Sequence, residues 1–236
     1  MLKAITLDFW GTLVNDRHSA APMRVAALAE RLPGLAPERI QAAYDASWRR
    51  FLSGMAQGWG LPPAALLSDT LDALGIALRP EIWARVLRRW ETEHMASPPP
   101  LVPKAVETLR ALRARGLAIG LISDTGATPG RVLRQFMAQV GLRPLFDWLT
   151  FSNETGVSKA RPQAFLLTLR ALGAAPGEAL HVGDTPTADV DGAHAVGMAA
   201  ALTIEVRDKR RGGERPDLVL ERLADLPEAL ALLRAA

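Results

Sequence analysis

Apolar and polar positions follow two different patterns along the chain. Over most of its length, short apolar runs predict strands at residues 5–9, 117–123, 148–151, 179–183 and 199–204. Apolar residues at three- and four-residue spacing predict helices between them, at residues 103–115, 131–140, 163–172 and 188–196. Continuous apolar strands that alternate with helices are typical of parallel sheets. We therefore predict an α/β fold with a Rossmann-like parallel sheet covered by helices on both faces.

A purely helical pattern interrupts this alternation after the first strand. Helical spacing recurs at residues 23–32, 37–55, 64–74 and 80–94, and each stretch is bounded by Pro or Gly. A Pro-rich linker at residues 97–100 precedes the return of the α/β pattern. We therefore predict an α/β core formed by residues 1–14 and 101–236, and an inserted all-α helical domain formed by residues 15–100.

Polar side chains gather where the predicted strands end. Because parallel strands present their carboxyl ends at one edge of a sheet, we expect these side chains to lie close together. Several carboxylates and one ammonium beside hydroxyl groups suit a divalent cation and a dianion, and oxygen ligands without cysteine favour Mg²⁺ over zinc. The residues concerned are Asp8, Thr12, Ser123, Asp124, Lys159, Asp184 and Asp189.

Four short motifs in this order resemble those of the haloacid dehalogenase superfamily, whose members are mostly phosphatases and phosphotransferases. Residues 8–12, DFWGT, are similar to its first motif, Asp-x-Asp-x-Thr, with Trp10 in place of the second Asp. LISD at residues 121–124 is similar to the second motif, and the isolated Lys159 to the third. Gly-Asp at residues 183–184, followed by Asp189, is similar to the fourth. The helical insertion between the first two motifs resembles the family's mobile cap.

The resemblance implies a Mg²⁺-dependent hydrolase that acts on a small phosphorylated metabolite. Asp8 would be the nucleophile that forms an aspartyl-phosphate, with Ser123 and Lys159 holding the transferring oxygens. Thr12, Asp124 and the Trp10 position would contact the substrate. The implied metal ligands are Asp8, the backbone carbonyl of Trp10, Asp184 and Asp189.

Trp10 leaves other functions open. The family's second Asp transfers protons to and from the leaving group, and a Trp side chain cannot do so. His18, Asp16 and His181 are candidate substitutes for it, but a hinge or surface position for His18 and Asp16, and a packed histidine inside a strand for His181, are the simpler interpretations.

One alternative is a 2-haloacid dehalogenase, because those members also carry an aromatic residue two positions after the nucleophile and need no metal. The acidic Asp184, and Phe165 where dehalogenases carry a Tyr, argue against it. Another alternative is a catalytically weak binding or regulatory protein. Substrate specificity is expected in the helical insertion, from the loop at residues 54–60, Arg49 and Arg50.

Composition narrows the remaining functions. The chain has 236 residues, 49% of them hydrophobic, no cysteine, and a formal net charge of +3. Without a signal-like start or a long apolar run, we expect a cytoplasmic protein without membrane contact. The Arg-rich stretch at residues 207–215 also carries acidic residues and glycines, which favours a solvated loop over a nucleic-acid surface. Oligomeric state does not follow from the sequence.

Overall fold

Six parallel strands form one sheet in the computed structural model, which describes residues 1–16 and 20–231. The strand order is β3-β2-β1-β4-β5-β6. The five predicted strands are confirmed, whereas β6 is missed because it has only three residues, one of them exposed. The strands are β1 (Ala4–Leu7), β2 (Ala118–Ser123), β3 (Trp148–Phe151), β4 (Ala179–Gly183), β5 (Ala199–Thr203) and β6 (Leu218–Leu220).

The predicted helices are present, with one correction. The stretch predicted as a helix at residues 188–196 begins as a π-helical turn, Pro186–Val190, and only then becomes α9. Single π-helical turns occur often at functional sites. The helices are α1 (Ala21–Ala29), α2 (Pro37–Ala56), α3 (Pro63–Leu74), α4 (Pro80–Thr92), α5 (Ala105–Ala114), α6 (Gly130–Gln139), α7 (Ser152–Thr155), α8 (Pro162–Leu172), α9 (Asp191–His194) and α10 (Leu226–Ala229).

Helices cover both faces of the sheet. Side chains alternate across each strand, so Ile5 and Leu7 join one hydrophobic cluster while Ala4 joins another. The first cluster includes residues of α5 and α6, and the second includes residues of α8 and α9. The predicted fold class, an α/β fold with a covered parallel sheet, is therefore confirmed.

The inserted helices α1 to α4 have a hydrophobic cluster of their own. It includes Leu28 of α1, Ile40 of α2, Leu67 of α3 and Trp90 of α4. Pro37, Pro63 and Pro80 each occupy the first position of their helix, where a missing N–H costs nothing.

The two connections between the insertion and the sheet run side by side. The backbone N–H of Asn15 donates to the carbonyl of Pro100 at 2.8 Å, and that of Val102 donates to Leu13 at 3.0 Å. The insertion thus leaves and rejoins the sheet region at one place. No helix among the described residues is long and apolar enough to cross a membrane.

Candidate active site

Asp8 lies at the centre of the sheet's carboxyl edge. Strand β1 pairs with β2 on one side and β4 on the other, and the N–H of Asp8 extends that pairing to the carbonyl of Val182 at 2.9 Å. The chain then turns, with Leu13 and Val14 donating back to the carbonyl of Phe9. Asp8 therefore points from a fixed backbone position into the region beyond the strand ends.

Lys159 joins two of the predicted carboxylates. Its ammonium donates to Asp8 Oδ1 at 2.6 Å and to Asp189 Oδ1 at 2.5 Å, and all three side chains are at most 6% exposed. Asp124 holds the backbone of Lys159 by accepting its N–H at 3.1 Å. The third and fourth motifs are thus tied to the first by buried charged groups.

The three acidic residues of the fourth and first motifs form one cluster. Asp8, Asp184 and Asp189 each offer a carboxylate oxygen, and these oxygens lie within 4.8 Å of one another. The Oδ2 atom of Asp184 is buried and receives no well-aligned hydrogen bond from the described residues, although the Lys209 ammonium lies 2.6 Å away. Such a set of oxygen donors is suited to a hard divalent cation.

Two glycines permit this close packing. Gly11 has a φ of 78°, and a Cβ there would lie 2.0 Å from Asp184 Oδ2. A Cβ on Gly183 would lie 2.1 Å from Asp189 Cγ. Larger residues at either position would push the carboxylates apart.

Burial and pairing with Lys159 shift the pKa values of the two carboxylates, Asp8 and Asp189, in opposite directions. Burial raises the pKa of Asp8 to about 7, against the lowering effect of Lys159. Burial also favours a raised pKa for Asp189, but the Lys159 ammonium and the His181 hydrogen bond hold that pKa below its usual range. Burial lowers the pKa of Lys159, yet Asp189 and Asp8 together raise it, so the lysine stays charged.

His181 supports the cluster from within β4. Burial lowers its pKa, so the ring is neutral. Its Nε2 lies 3.1 Å from Asp189 Oδ1, and its Nδ1 lies 2.8 Å from the Thr6 hydroxyl. Since a carboxylate only accepts, Nε2 carries the proton and Nδ1 accepts from Thr6. This ring therefore orients Asp189 and is packed away from the cavity described below.

The remaining predicted residues occupy different positions around Asp8. The Thr12 hydroxyl donates to Asp8 Oδ2 over a long 3.4 Å. Ser123, at the end of β2, is buried, and its hydroxyl has no hydrogen-bond partner among the described residues. Asp124 lines the cavity above Asp8, and burial raises its pKa. Trp10 lines the same cavity, with its ring edge-on to Phe9 at 4.9 Å.

One cavity of about 800 Å³ joins this edge of the sheet to the inserted helices. Asp8, Lys159 and Asp184 form part of its lining on the sheet side. Tyr44 and Trp48 of α2 line it on the other side, where their rings stack at 6.3 Å. Its size is that of a typical small-molecule site.

Sequence reasoning missed two cations that line this cavity. Lys209 belongs to the Arg-rich stretch interpreted as a solvated loop, yet its ammonium reaches Asp184 and the Thr185 hydroxyl. Arg24 lay in a helical pattern and carried no motif signal. A cation on one face of a helix, or in a loop, gives no clue to the partner that folding brings near it.

The residues of the insertion that were expected to read the substrate or to donate protons lie partly at the cavity and partly away from it. Arg50 pairs with Asp69 at 2.9 Å, and neither it nor Arg49 lines the cavity. Met55 and Ala56, from the segment expected as a loop at residues 54–60, do line it, but they belong to the last turn of α2. Of the possible proton donors, Asp16 pairs with Arg207 at 2.9 Å, and His18 lies outside the described residues.

Comparisons with known proteins agree with this geometry. A profile of haloacid dehalogenase-like hydrolases matches residues 2–197. The phosphoserine phosphatase of Thermus thermophilus is 33% identical over 215 residues, which cover 87% of this chain and 82% of that protein.

Solved structures match over nearly the whole chain. A 2-haloacid dehalogenase from Pseudomonas syringae pv. tomato superposes with a TM-score of 0.69 at 25% identity, covering 100% of both chains. YfnB of Bacillus subtilis, a HAD-hydrolase solved with bound magnesium, superposes with a TM-score of 0.69 at 17% identity, covering 98% of this chain and 99% of that one. The chain, with its parallel six-stranded sheet, inserted helices and buried aspartate cluster, belongs to the haloacid dehalogenase-like hydrolases.

Proposed function

We propose that this hydrolase is a phosphatase that acts on a small phosphorylated metabolite through an aspartyl-phosphate at Asp8. The observation that carries the proposal is the buried contact of Lys159 with Asp8 and Asp189, beside Asp184. This arrangement aims a carboxylate at the cavity and keeps a cation within reach of it. The similarity to a phosphoserine phosphatase supports the same chemistry.

The proposed reaction has two displacements at phosphorus. A carboxylate oxygen of Asp8 attacks phosphorus, and the Asp8 O–P bond forms as the ester O–P bond breaks. The ester oxygen leaves with the bonding electron pair and takes a proton from water. Lys159 fixes the rotation of that carboxylate and carries positive charge beside the phosphoryl oxygens. The Ser123 hydroxyl, which has no partner among the described residues, is available to donate to one of those oxygens. Water then attacks phosphorus and releases Asp8 and inorganic phosphate.

The acidic cluster fits Mg²⁺. Asp8, Asp184, Asp189 and the Trp10 backbone carbonyl would hold the ion, and Asp184 Oδ2 is a buried acceptor that lacks a well-aligned hydrogen bond. Bound Mg²⁺ would supply the positive charge that offsets repulsion between Asp8 and a phosphate dianion. The Lys209 ammonium, 2.6 Å from Asp184, competes with the ion for that carboxylate.

Trp10 in place of an acid is proposed to restrict the leaving group. An alkoxide leaves with difficulty unless a neighbouring group protonates it, while aryl and acyl phosphates need the proton less. His181 is fully buried, bonds Asp189 Oδ1 and does not line the cavity. We therefore expect the enzyme to favour good leaving groups.

Dehalogenation of a 2-haloacid is the second candidate. An aromatic residue at position 10 and the 25% identity to a 2-haloacid dehalogenase favour it. Two features oppose it: Asp184 keeps a carboxylate in the cluster, and Phe165 is buried edge-on against His181 without a hydroxyl. A catalytically weak binding protein is disfavoured by the same complete carboxylate set.

The inserted helices are proposed to be a cap that covers the substrate. The boundaries follow the paired connections, so that residues 15–100 form the cap and residues 1–14 and 101–236 the core. Separate hydrophobic clusters and the hydrogen bond from Asn15 to Pro100 support this division.

Replacing the nucleophile tests the reaction. Asp8→Asn should lower phosphate release from a metabolite panel by roughly 10³-fold or more, because no other side chain replaces the attacking carboxylate. Halide release from 2-chloropropionate in the presence of a metal chelator is measured in parallel with phosphate release. Phosphate release that survives the substitution would refute the mechanism, and metal-independent halide release would favour the dehalogenase.

With metal chelated, Asp8→Asn should be more stable than wild type, and this gain in stability should be larger at high pH. Asp8 has a pKa near 7 in the folded protein, against an ordinary value of 3.8, so its ionisation destabilises the fold as pH rises between these values. Asp8→Asn should therefore raise the melting temperature more at about pH 8 than at about pH 5. An equal change at both pH values would contradict the raised pKa.

Restoring an acid at position 10 tests the role of Trp10. Trp10→Asp should raise kcat for alkyl phosphates by about 10²-fold, and by much less for p-nitrophenyl phosphate, because only the alkoxide requires a proton. Trp10→Asn, which opens the same space without an acid, is the matched control. Equal gains in Trp10→Asp and Trp10→Asn would assign the effect to space instead of proton transfer.

Removing the competing cation should tighten metal binding. In Lys209→Gln, the affinity for Mg²⁺ or Mn²⁺ measured by calorimetry without substrate should rise by about tenfold, since the ammonium no longer neutralises Asp184. Arg211→Gln removes the same charge from an exposed position in the same loop and should leave that affinity almost unchanged. Unchanged or weaker binding in Lys209→Gln would contradict the competition.

A further inference from the structure

Arg24 of α1 is a buried cation without an acidic partner among the described residues. Arg24 is only 7% exposed, which is the lowest exposure of any arginine in the described part of the chain. Its guanidinium donates to three neutral oxygens: the Trp90 carbonyl at 3.3 Å, the Tyr44 hydroxyl at 3.4 Å and the Thr128 hydroxyl at 3.4 Å. Burial of a guanidinium without a carboxylate is costly, so this position calls for an explanation.

The hydrogen bonds of Arg24 leave it able to bind an anion. A guanidinium has five N–H donors, and three are used here. The two contacts to hydroxyl groups are long, and both hydroxyls can rotate to donate to a ligand themselves. Arg24, Tyr44 and Thr128 therefore form a group with spare donors and a fixed positive charge.

This group faces the substrate space. Arg24, Tyr44 and Thr128 all line the cavity of about 800 Å³ that Asp8 and Lys159 also line. Arg24 and Tyr44 belong to the inserted helices, whereas Thr128 follows β2 in the sheet region. A ligand on this group would touch both parts of the protein.

We propose that Arg24, Tyr44 and Thr128 form a subsite for a carboxylate carried by the substrate. The inference rests on the proposed phosphatase function and narrows its substrates to small phosphorylated carboxylic acids. The planar fork of a guanidinium matches the two oxygens of a carboxylate. A second phosphate dianion suits the cavity less well, because Asp16 and Asp45 also line it and would repel the larger charge.

A purely structural role for Arg24 makes a different prediction. Trp90 Nε1 donates to the backbone carbonyl of Arg24 at 2.9 Å, and this contact between α1 and α4 remains whatever the side chain is. Among the hydrogen bonds of the Arg24 side chain, the one to the Trp90 carbonyl joins α1 to the backbone of another inserted helix, α4. Loss of a structural arginine would weaken the turnover of all substrates alike, whereas loss of a carboxylate subsite would weaken only that of carboxylates.

Matched substrate pairs separate these roles. Kinetics are measured for 2-phosphoglycolate against ethyl phosphate, and for 3-phosphoglycerate against glycerol 3-phosphate, since each pair differs at the carboxylate. In Arg24→Gln, kcat/KM for the better carboxylate substrate should fall by roughly 10- to 100-fold, with less than about threefold change for its partner without a carboxylate. Arg24→Lys keeps the positive charge without the planar guanidinium, so its kcat/KM for the carboxylate substrate should lie between those of Arg24→Gln and wild type.

Two further variants guard against misfolding and general charge effects. Tyr44→Phe keeps the ring that stacks on Trp48. It should lower the ratio of kcat/KM for the carboxylate substrate to kcat/KM for its partner, as Arg24→Gln does, but by a smaller factor. Arg39→Gln is the control, because Arg39 also donates to a backbone carbonyl of the insertion, that of Leu74, but does not line the cavity. It should leave the ratio unchanged.

Binding to the Asp8→Asn protein keeps the test independent of turnover. Calorimetry should show that 2-phosphoglycolate or 3-phosphoglycerate binds more tightly than its partner without a carboxylate, and that adding Arg24→Gln removes the difference. If wild type hydrolyses no phosphate ester, the phosphatase proposal fails, while this binding difference still supports the carboxylate subsite. Equal binding or equal losses within each pair would overturn the subsite, even if phosphatase activity is present.

Discussion

The contact of one buried ammonium, that of Lys159, with two carboxylates organises this protein. Asp8 comes from the end of β1, Asp189 from the π-helical turn after β4, and Lys159 from the loop before α8. A buried charge is costly unless it is paired and hydrogen-bonded, so the three segments are held in one arrangement. His181 and Asp124 extend that arrangement by bonding Asp189 and the backbone of Lys159. The fold thus places charge where a phosphoryl group would require it.

This arrangement explains why Trp10 does not signal a different fold. The position contributes a backbone carbonyl to the proposed metal site, so its side chain can change without loss of a ligand. The acidic cluster remains together, with its oxygens within 4.8 Å of one another. Trp10 is therefore proposed to affect only proton transfer to the leaving group and the shape of the cavity. The proposed chemistry at phosphorus depends on Asp8 and Lys159 instead.

The sequence predicted most of the sheet and the cluster at its edge, because both depend on regular patterns. Apolar runs identified β1 to β5, and polar residues at the ends of those runs identified Asp8, Asp184 and Asp189. The strand β6 and the π-helical turn escaped prediction because they are too short to show a period. Arg24 and Lys209 escaped because their partners lie far away in sequence, at Thr128 and Asp184, and only folding brings them together. Specificity is therefore the part least visible in the sequence.

Asp8 is proposed to form a bond to phosphorus within this charged cluster. The most direct measurement is a crystal structure, supported by fluorine NMR, of the protein with Mg²⁺ and beryllofluoride, which mimics a phosphoryl group on a carboxylate. We expect beryllium bonded to a carboxylate oxygen of Asp8, with its fluorines near Lys159 and Ser123, and no adduct in Asp8→Asn. An adduct that persists in Asp8→Asn, or the absence of any adduct in wild type at saturating Mg²⁺, would contradict it.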